Sequence, residues 1–128
     1  MSTAHFDYQK ESETFVNIVK ELLPELMLDF TSESIDALER FIMQKFDPPG
    51  SKYVGESLMI GMGSYIGGTI IRNLGGKWSE TNPFEINNIG EIKSINPVQK
   101  VAKRFKNGPI DSLAHYYGII CKYKNGKA

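Results

Sequence analysis

The stretch that most constrains this chain runs from Leu58 to Trp78: Leu-Met-Ile-Gly-Met-Gly-Ser-Tyr-Ile-Gly-Gly-Thr-Ile-Ile-Arg-Asn-Leu-Gly-Gly-Lys-Trp. Between Leu58 and Ile71 it holds no charged residue and no proline, and its apolar positions are not confined to one stripe. That is the pattern of a helix covered on most sides, so the segment is expected to be the central helix of the fold. Glycine inside a helix costs about 1 kcal/mol relative to alanine. Gly61, Gly63, Gly67 and Gly68 therefore call for close packing that offsets the loss. Ser57, Gly61, Ser64 and Gly68 fall on one narrow face where another backbone could approach, beside a bulkier face of Leu58, Met62, Tyr65 and Thr69. The uncharged run of 14 residues is too short to span a bilayer, which takes about 20. Gly61-Met-Gly63-Ser-Tyr-Ile-Gly67 looks superficially like a dinucleotide fingerprint, but its spacing is one residue too long and no strand precedes it.

At 128 residues the chain has room for one core, and a single domain over 1–128 is expected, with 1–6 and 122–128 frayed. A hydrophobic share of 41% excludes disorder on compositional grounds. One cysteine, Cys121, excludes an internal disulfide and a thiolate metal cage, and it reads as a small packed hydrophobe. The amino terminus lacks a basic region leading into an apolar one, so no signal peptide is read and a cytoplasmic location is expected. The formal net charge of zero conceals a gradient: residues 1–64 carry 11 acidic and 5 basic side chains, residues 65–128 carry 4 and 10.

The remaining elements follow from periodicity and punctuation. A first helix is expected from Asp7 to Leu23 with Phe15, Ile18, Val19 and Leu22 facing the core. Pro24 interrupts it, and Glu25–Phe30 reads as a short helical turn or an irregular link. Thr31 and Ser32 offer N-cap oxygens for a helix with Ile35, Leu38, Ile42 and Phe46 on its apolar side, ended by Asp47-Pro-Pro-Gly50. Gly75-Gly76 stops the central helix. Lys77–Glu80 is expected to be extended, with Trp78 plugging the core. Phe84–Asn87 and Glu91–Ile95, separated by a turn at Asn87–Gly90, predict an antiparallel hairpin. Asn96, Pro97 and Gln99 form a helix-start signal, after which Val98, Val101, Ala102 and Phe105 face inward and Lys100, Lys103, Arg104 and Lys106 outward. A last helix is expected from Ile110 to Ile120, with Leu113, Tyr116, Tyr117 and Ile120 inward. The fold class is therefore α+β: mainly helical, with a central Gly-rich buried helix and a small antiparallel β-hairpin or three-stranded sheet.

Chemistry-bearing constellations are sparse. Asp111 and His115 stand at i and i+4, where on one helical turn a carboxylate can orient an imidazole. No nucleophile motif accompanies them, and a surface charge pair is the plainer account. His5 and His115 are far apart in sequence and neither has metal-ligand spacing, so no metal is expected, and no cofactor. Glu56 suits the N-terminus of the central helix as a cap, and Arg72 suits its C-terminus. The basic group Lys100, Lys103, Arg104 and Lys106 could touch phosphates, but aromatic interleaving is thin and the pI is near 6.7, which makes nucleic acid a weak prospect.

The block Gly63-Ser-Tyr65-Ile-Gly67, Ile71-Arg-Asn-Leu-Gly-Gly-Lys-Trp78, Asn96-Pro97 and Asn107-Gly108-Pro-Ile-Asp-Ser-Leu113 resembles small uncharacterised bacterial domains of accessory or immunity type, which sit beside secreted toxins. The likeness covers about the second half of the chain. Gly68-Thr69 stands where an acidic residue would be expected after the second glycine. The resemblance and the absence of catalytic motifs imply a non-catalytic protein-binding protein, most concretely an immunity protein that neutralises a cognate bacterial toxin. If that toxin is basic, Glu11, Glu33, Asp36 and Glu39 on the first two helices are the expected contacts. The alternative is a small-molecule-binding enzyme or sensor whose pocket beside the central helix is lined by Tyr65, Arg72, Asp111 and His115.

Overall fold

A computed structural model describes residues 7–48 and 55–124. The expected fraying of 1–6 and 125–128, and the Pro49-Gly50 part of the turn after the second helix, lie outside them. Among the described residues, five α-helices and a small three-stranded antiparallel sheet make an α+β fold. In order the elements are α1 (Tyr8–Leu22), α2 (Ser32–Lys45), α3 (Glu56–Leu74), β1 (Lys77–Trp78), β2 (Ile86–Ile89), β3 (Ile92–Ile95), α4 (Pro97–Asn107) and α5 (Leu113–Tyr123). No helix among the described residues is long and apolar enough to cross a membrane.

The glycine-laced segment is α3, and Gly61 through Gly67 are buried without interruption. Its glycines admit neighbours on two sides. On the Ser57–Gly68 face lies α1, antiparallel to α3: a Cβ at Gly61 would stand 3.2 Å from Phe15 Cβ, and one at Gly68 3.8 Å from Ser12 Oγ. The tightest approach is elsewhere. A Cβ at Gly63 would stand 2.6 Å from Val98 Cα and 2.9 Å from Val98 N, because the start of α4 lies directly on the helix. Gly67, one turn on, makes room for the Trp78 ring and Ile86. Trp78 is half-buried, and it stacks flat on Tyr8 with ring centres 3.8 Å apart.

In the sheet Lys77 pairs with Asn87, Trp78 with Ile86, Ile86 with Ile95 and Ile89 with Ile92. The hairpin closes over Gly90-Glu91 rather than Asn87–Gly90, with Gly90 at φ +56, a conformation glycine reaches without a Cβ penalty. Ile86 and Ile89 are both buried although three residues apart, because Asn88 at φ +61 breaks the strand alternation. The end of α5 meets the hairpin turn at Gly90-Glu91. The Glu91 N–H donates to the Lys124 carbonyl at 2.5 Å, so residues 122–124 are held in place rather than frayed.

The capping signals read at Thr31 and Asn96 fall where the sequence places them, and Asp7, expected inside the first helix, caps it instead. Asp7 accepts from the Lys10 N–H, Thr31 Oγ1 from the Ser34 N–H and Asn96 Oδ1 from the Gln99 N–H. Three further expectations fail on orientation or boundary. In α1 the buried residues are Tyr8, Ser12, Phe15 and Val19, while Ile18 and Leu22 are exposed, at 46% and 74%. The side of α1 that meets α3 runs through Ser12 and Phe15, which lie against Gly68 and Gly61, and Ile18 and Leu22 fall beside it. Glu56 lies inside the first turn of α3, and Gly55 is the capping residue, so the carboxylate acts only through the helix dipole. The last helix begins at Leu113 because Pro109–Asp111 forms a separate 3-10 turn and Ser112 takes the cap, accepting from the His115 N–H.

Candidate functional site

Among the described residues, three polar neighbourhoods bear on the expected sites. The first joins α2, the segment after it, α4 and α5. Arg104, expected on the outer face of α4, has no exposed surface. Its Nε donates to Glu39 Oε2 at 2.8 Å, while Nη1 and Nη2 grip Asp47 Oδ1 and Oδ2 at 2.9 and 2.7 Å. The other Glu39 oxygen accepts the Leu113 N–H at 2.7 Å, which satisfies an otherwise orphan donor at the start of α5. Burial opposes the Arg104 charge, and the hydrogen bonds and charges of Asp47 and Glu39 overcome it, holding the guanidinium above its ordinary range. Glu39 is 5% exposed, so it is not a surface contact for a partner. Outward placement fails for both residues because the Arg104 side chain reaches from α4 to Glu39 on α2 and to Asp47 beyond it, while Glu39 also takes the Leu113 N–H. Val98, Ala102 and Phe105 are half-buried, leaving Pro97, Val101 and Arg104 as the buried side of α4.

The second gathering surrounds Tyr65. Its hydroxyl accepts the Phe30 N–H at 2.8 Å and lies 2.6 Å from Ser34 Oγ, which itself donates to the Thr31 carbonyl. Burial raises the Tyr65 hydroxyl above its usual range against the lowering effect of these bonds. Phe30, at φ +63, leans on the Tyr65 ring, and the Arg72 guanidinium lies 3.4 Å over the Phe30 ring centre. Asn73 Nδ2 donates to the Phe30 carbonyl. Tyr65 and Arg72 are thus brought together through Phe30, in a clasp that fastens the 23–31 link onto α3.

The third is a pair at the start of α5. Asp111 does not meet His115: Oδ1 accepts from Lys100 Nζ at 2.9 Å and Oδ2 from Asn107 Nδ2 at 2.7 Å. These donors hold the Asp111 carboxyl below its usual range. His115 is exposed one turn into α5. Tyr65, Arg72, Asp111 and His115 therefore belong to separate neighbourhoods. Four shallow clefts among the described residues have none of the four in their walls.

Of the acidic residues read as partner contacts, Glu33 and Asp36 are exposed on α2, and Glu11 is half-buried on α1. Among the described residues no group of three or more His, Cys, Asp or Glu side chains is placed to hold a metal ion. The buried network at Arg104 escaped sequence reasoning, since periodicity assigns charge outward. The i, i+4, i+7 spacing of Pro97, Val101 and Arg104 was the available signal. No protein family, no curated protein and no solved structure matches this chain.

Proposed function

We propose that this chain works by binding another protein in the cytoplasm, most concretely as an immunity-type inhibitor that neutralises a cognate bacterial toxin. One observation carries the reading. The buried ion-pairing groups and the Tyr65 hydroxyl are engaged in holding elements together: Arg104 with Glu39 and Asp47, and Tyr65 with Phe30 and Ser34. Glu33 and Asp36 stay exposed on α2, within the half of the chain that carries the acidic excess. Exposed acids on a rigid helix steer a basic partner and raise its association rate.

The test offers the purified chain to secreted proteins encoded beside it and measures binding by titration calorimetry at low and high salt. Binding that weakens with salt, and weakens by about tenfold in Glu33→Lys/Asp36→Lys, is the expected result. Absence of binding to every such neighbour, or binding indifferent to both changes, overturns the proposal.

A further inference from the structure

Arg104 and Tyr65 are tied to neighbours, but two polar side chains beside the start of α4 are not. Tyr116, on α5, is half-buried, and burial pushes its hydroxyl above the usual tyrosine range. Among the described residues that hydroxyl has no hydrogen-bond partner, and it is not sealed in, since the enclosed side-chain atom without a partner is Ser64 Oγ. Lys103, exposed on α4, has no ion pair among them either. Both line one cleft of about 180 Å³, together with Ile95, Asn96, Gln99 and Lys100. It adjoins a second of about 400 Å³, which shares Ile95, Asn96 and Gln99 and is lined as well by Asn82, Glu85 and Ser94. Small-ligand sites take about 300–1,000 Å³, which the adjoining pair supplies.

The smaller cleft is rich in donors and holds one uncompensated positive charge. Asp111 Oδ1 accepts from Lys100 Nζ at 2.9 Å and neutralises it, so the remaining charge is that of Lys103. Lys100 keeps further ammonium protons, and Tyr116 has a free O–H. Asn96 uses its Oδ1 on the Gln99 N–H, which leaves its amide protons for the cleft. These donors come from the β3–α4 junction, from α4 and from α5, so they suit a tetrahedral anion with three free oxygens better than a planar carboxylate with two. The larger cleft has no cation in its walls. It has the Glu85 carboxylate, one oxygen of which takes the Asn87 amide, and the neutral polar groups of Asn82 and Ser94. Such groups bind hydroxyls.

We propose that the two clefts form one site for a small phosphate ester with a hydroxylated body, a sugar phosphate being the simplest case. The phosphate lies among Lys103, Lys100 and Tyr116, and the hydroxyls reach Ser94 and Glu85. Glu85 sets the orientation, because its carboxylate repels the phosphate and accepts from hydroxyls. None of the lining residues is an acid of α2, so the site stands or falls apart from the protein-binding reading.

Titration calorimetry of the full chain at constant ionic strength tests this, with ribose 5-phosphate, glucose 6-phosphate, inorganic phosphate and ribose as probes. The expected result is that at least one sugar phosphate binds with a Kd of about 1 mM or below and about tenfold tighter than inorganic phosphate, while ribose gives no heat. Tyr116→Phe and Lys103→Gln each weaken that binding by about tenfold, and Glu85→Gln narrows the preference over inorganic phosphate. Tyr116→Phe removes only a hydroxyl that has no partner in the protein, so its urea midpoint does not fall and lost binding is not lost folding. Should the midpoint fall, perturbation of the Asn96 and Gln99 side-chain amide NMR signals by the sugar phosphate locates the site in the wild-type chain instead. Failure of both sugar phosphates to bind, binding no tighter than that of inorganic phosphate, or binding indifferent to Lys103→Gln and Tyr116→Phe overturns the proposal. So does a single-stranded oligonucleotide that binds through Lys103 when neither sugar phosphate does, which makes the face a polyanion surface.

Discussion

Two helical glycines show how the same residue type answers opposite demands. A Cβ at Gly63 would press on the Val98 backbone, whereas one at Gly118 in α5 would meet nothing within 4 Å. Gly63→Ala is expected to destabilise by about 1–3 kcal/mol, since overpacking against backbone outweighs the gain in helix propensity. Gly118→Ala is expected to stabilise by about 0.5–1 kcal/mol. Urea midpoints of the two variants check both signs, and a stabilised Gly63→Ala would mean that α4 lies further from α3 than described. The crowding at Gly63 was only partly legible in the sequence. The glycines announced that something approaches, but a one-dimensional pattern picks out a face such as Ser57–Gly61–Ser64–Gly68 and not the residue, Val98, that comes from 35 positions away.

At the level of elements, caps were the most readable features because their chemistry is local. Thr31 and Asn96 each satisfy an N–H three residues ahead, and the helix starts they mark fall where expected. The start of α5 was misread because Pro109 and Asp111 imitate a helix entry, while the true cap, Ser112, follows them. The inward turn of Glu39 and Arg104 was not legible at all. Each is charged and each sits on an amphipathic helix, and the partner that makes burial tolerable is 65 residues distant. Arg104→Met is expected to destabilise by about 3–5 kcal/mol, since it leaves Glu39 buried without its counter-charge. Adding Glu39→Gln, which can still accept the Leu113 N–H, is expected to recover part of that loss. Chemical denaturation of the two single variants and the double measures the coupling, and strictly additive losses would mean that the pair does not act as a unit.

For the molecule as a whole, alkaline pH is the more revealing limit. Burial raises the hydroxyls of Tyr65, Tyr116 and Tyr117 above the ordinary tyrosine value. The folded chain thus holds protons that the unfolded chain gives up near pH ~10. Their contribution to stability is complete below that pH and is lost as pH rises through the folded values. The phenolate absorbance is therefore expected to appear together with loss of helix signal in a combined titration, and ionisation of these tyrosines in a fully helical chain would contradict their burial. The α+β class and its central helix were legible in the sequence because they follow from composition along a segment. How the acidic half meets the basic half was not, because it depends on pairings made across the fold.

The Arg104 network also bears on when this protein can finish folding as it is made. Glu39 emerges from the ribosome early, yet the guanidinium and the Leu113 amide that complete its environment come from the last quarter of the chain. Until then α2 holds an acid that its own half cannot neutralise. Nascent chains released before Leu113 should remain protease-sensitive at α2, however well α1 and α3 have already paired.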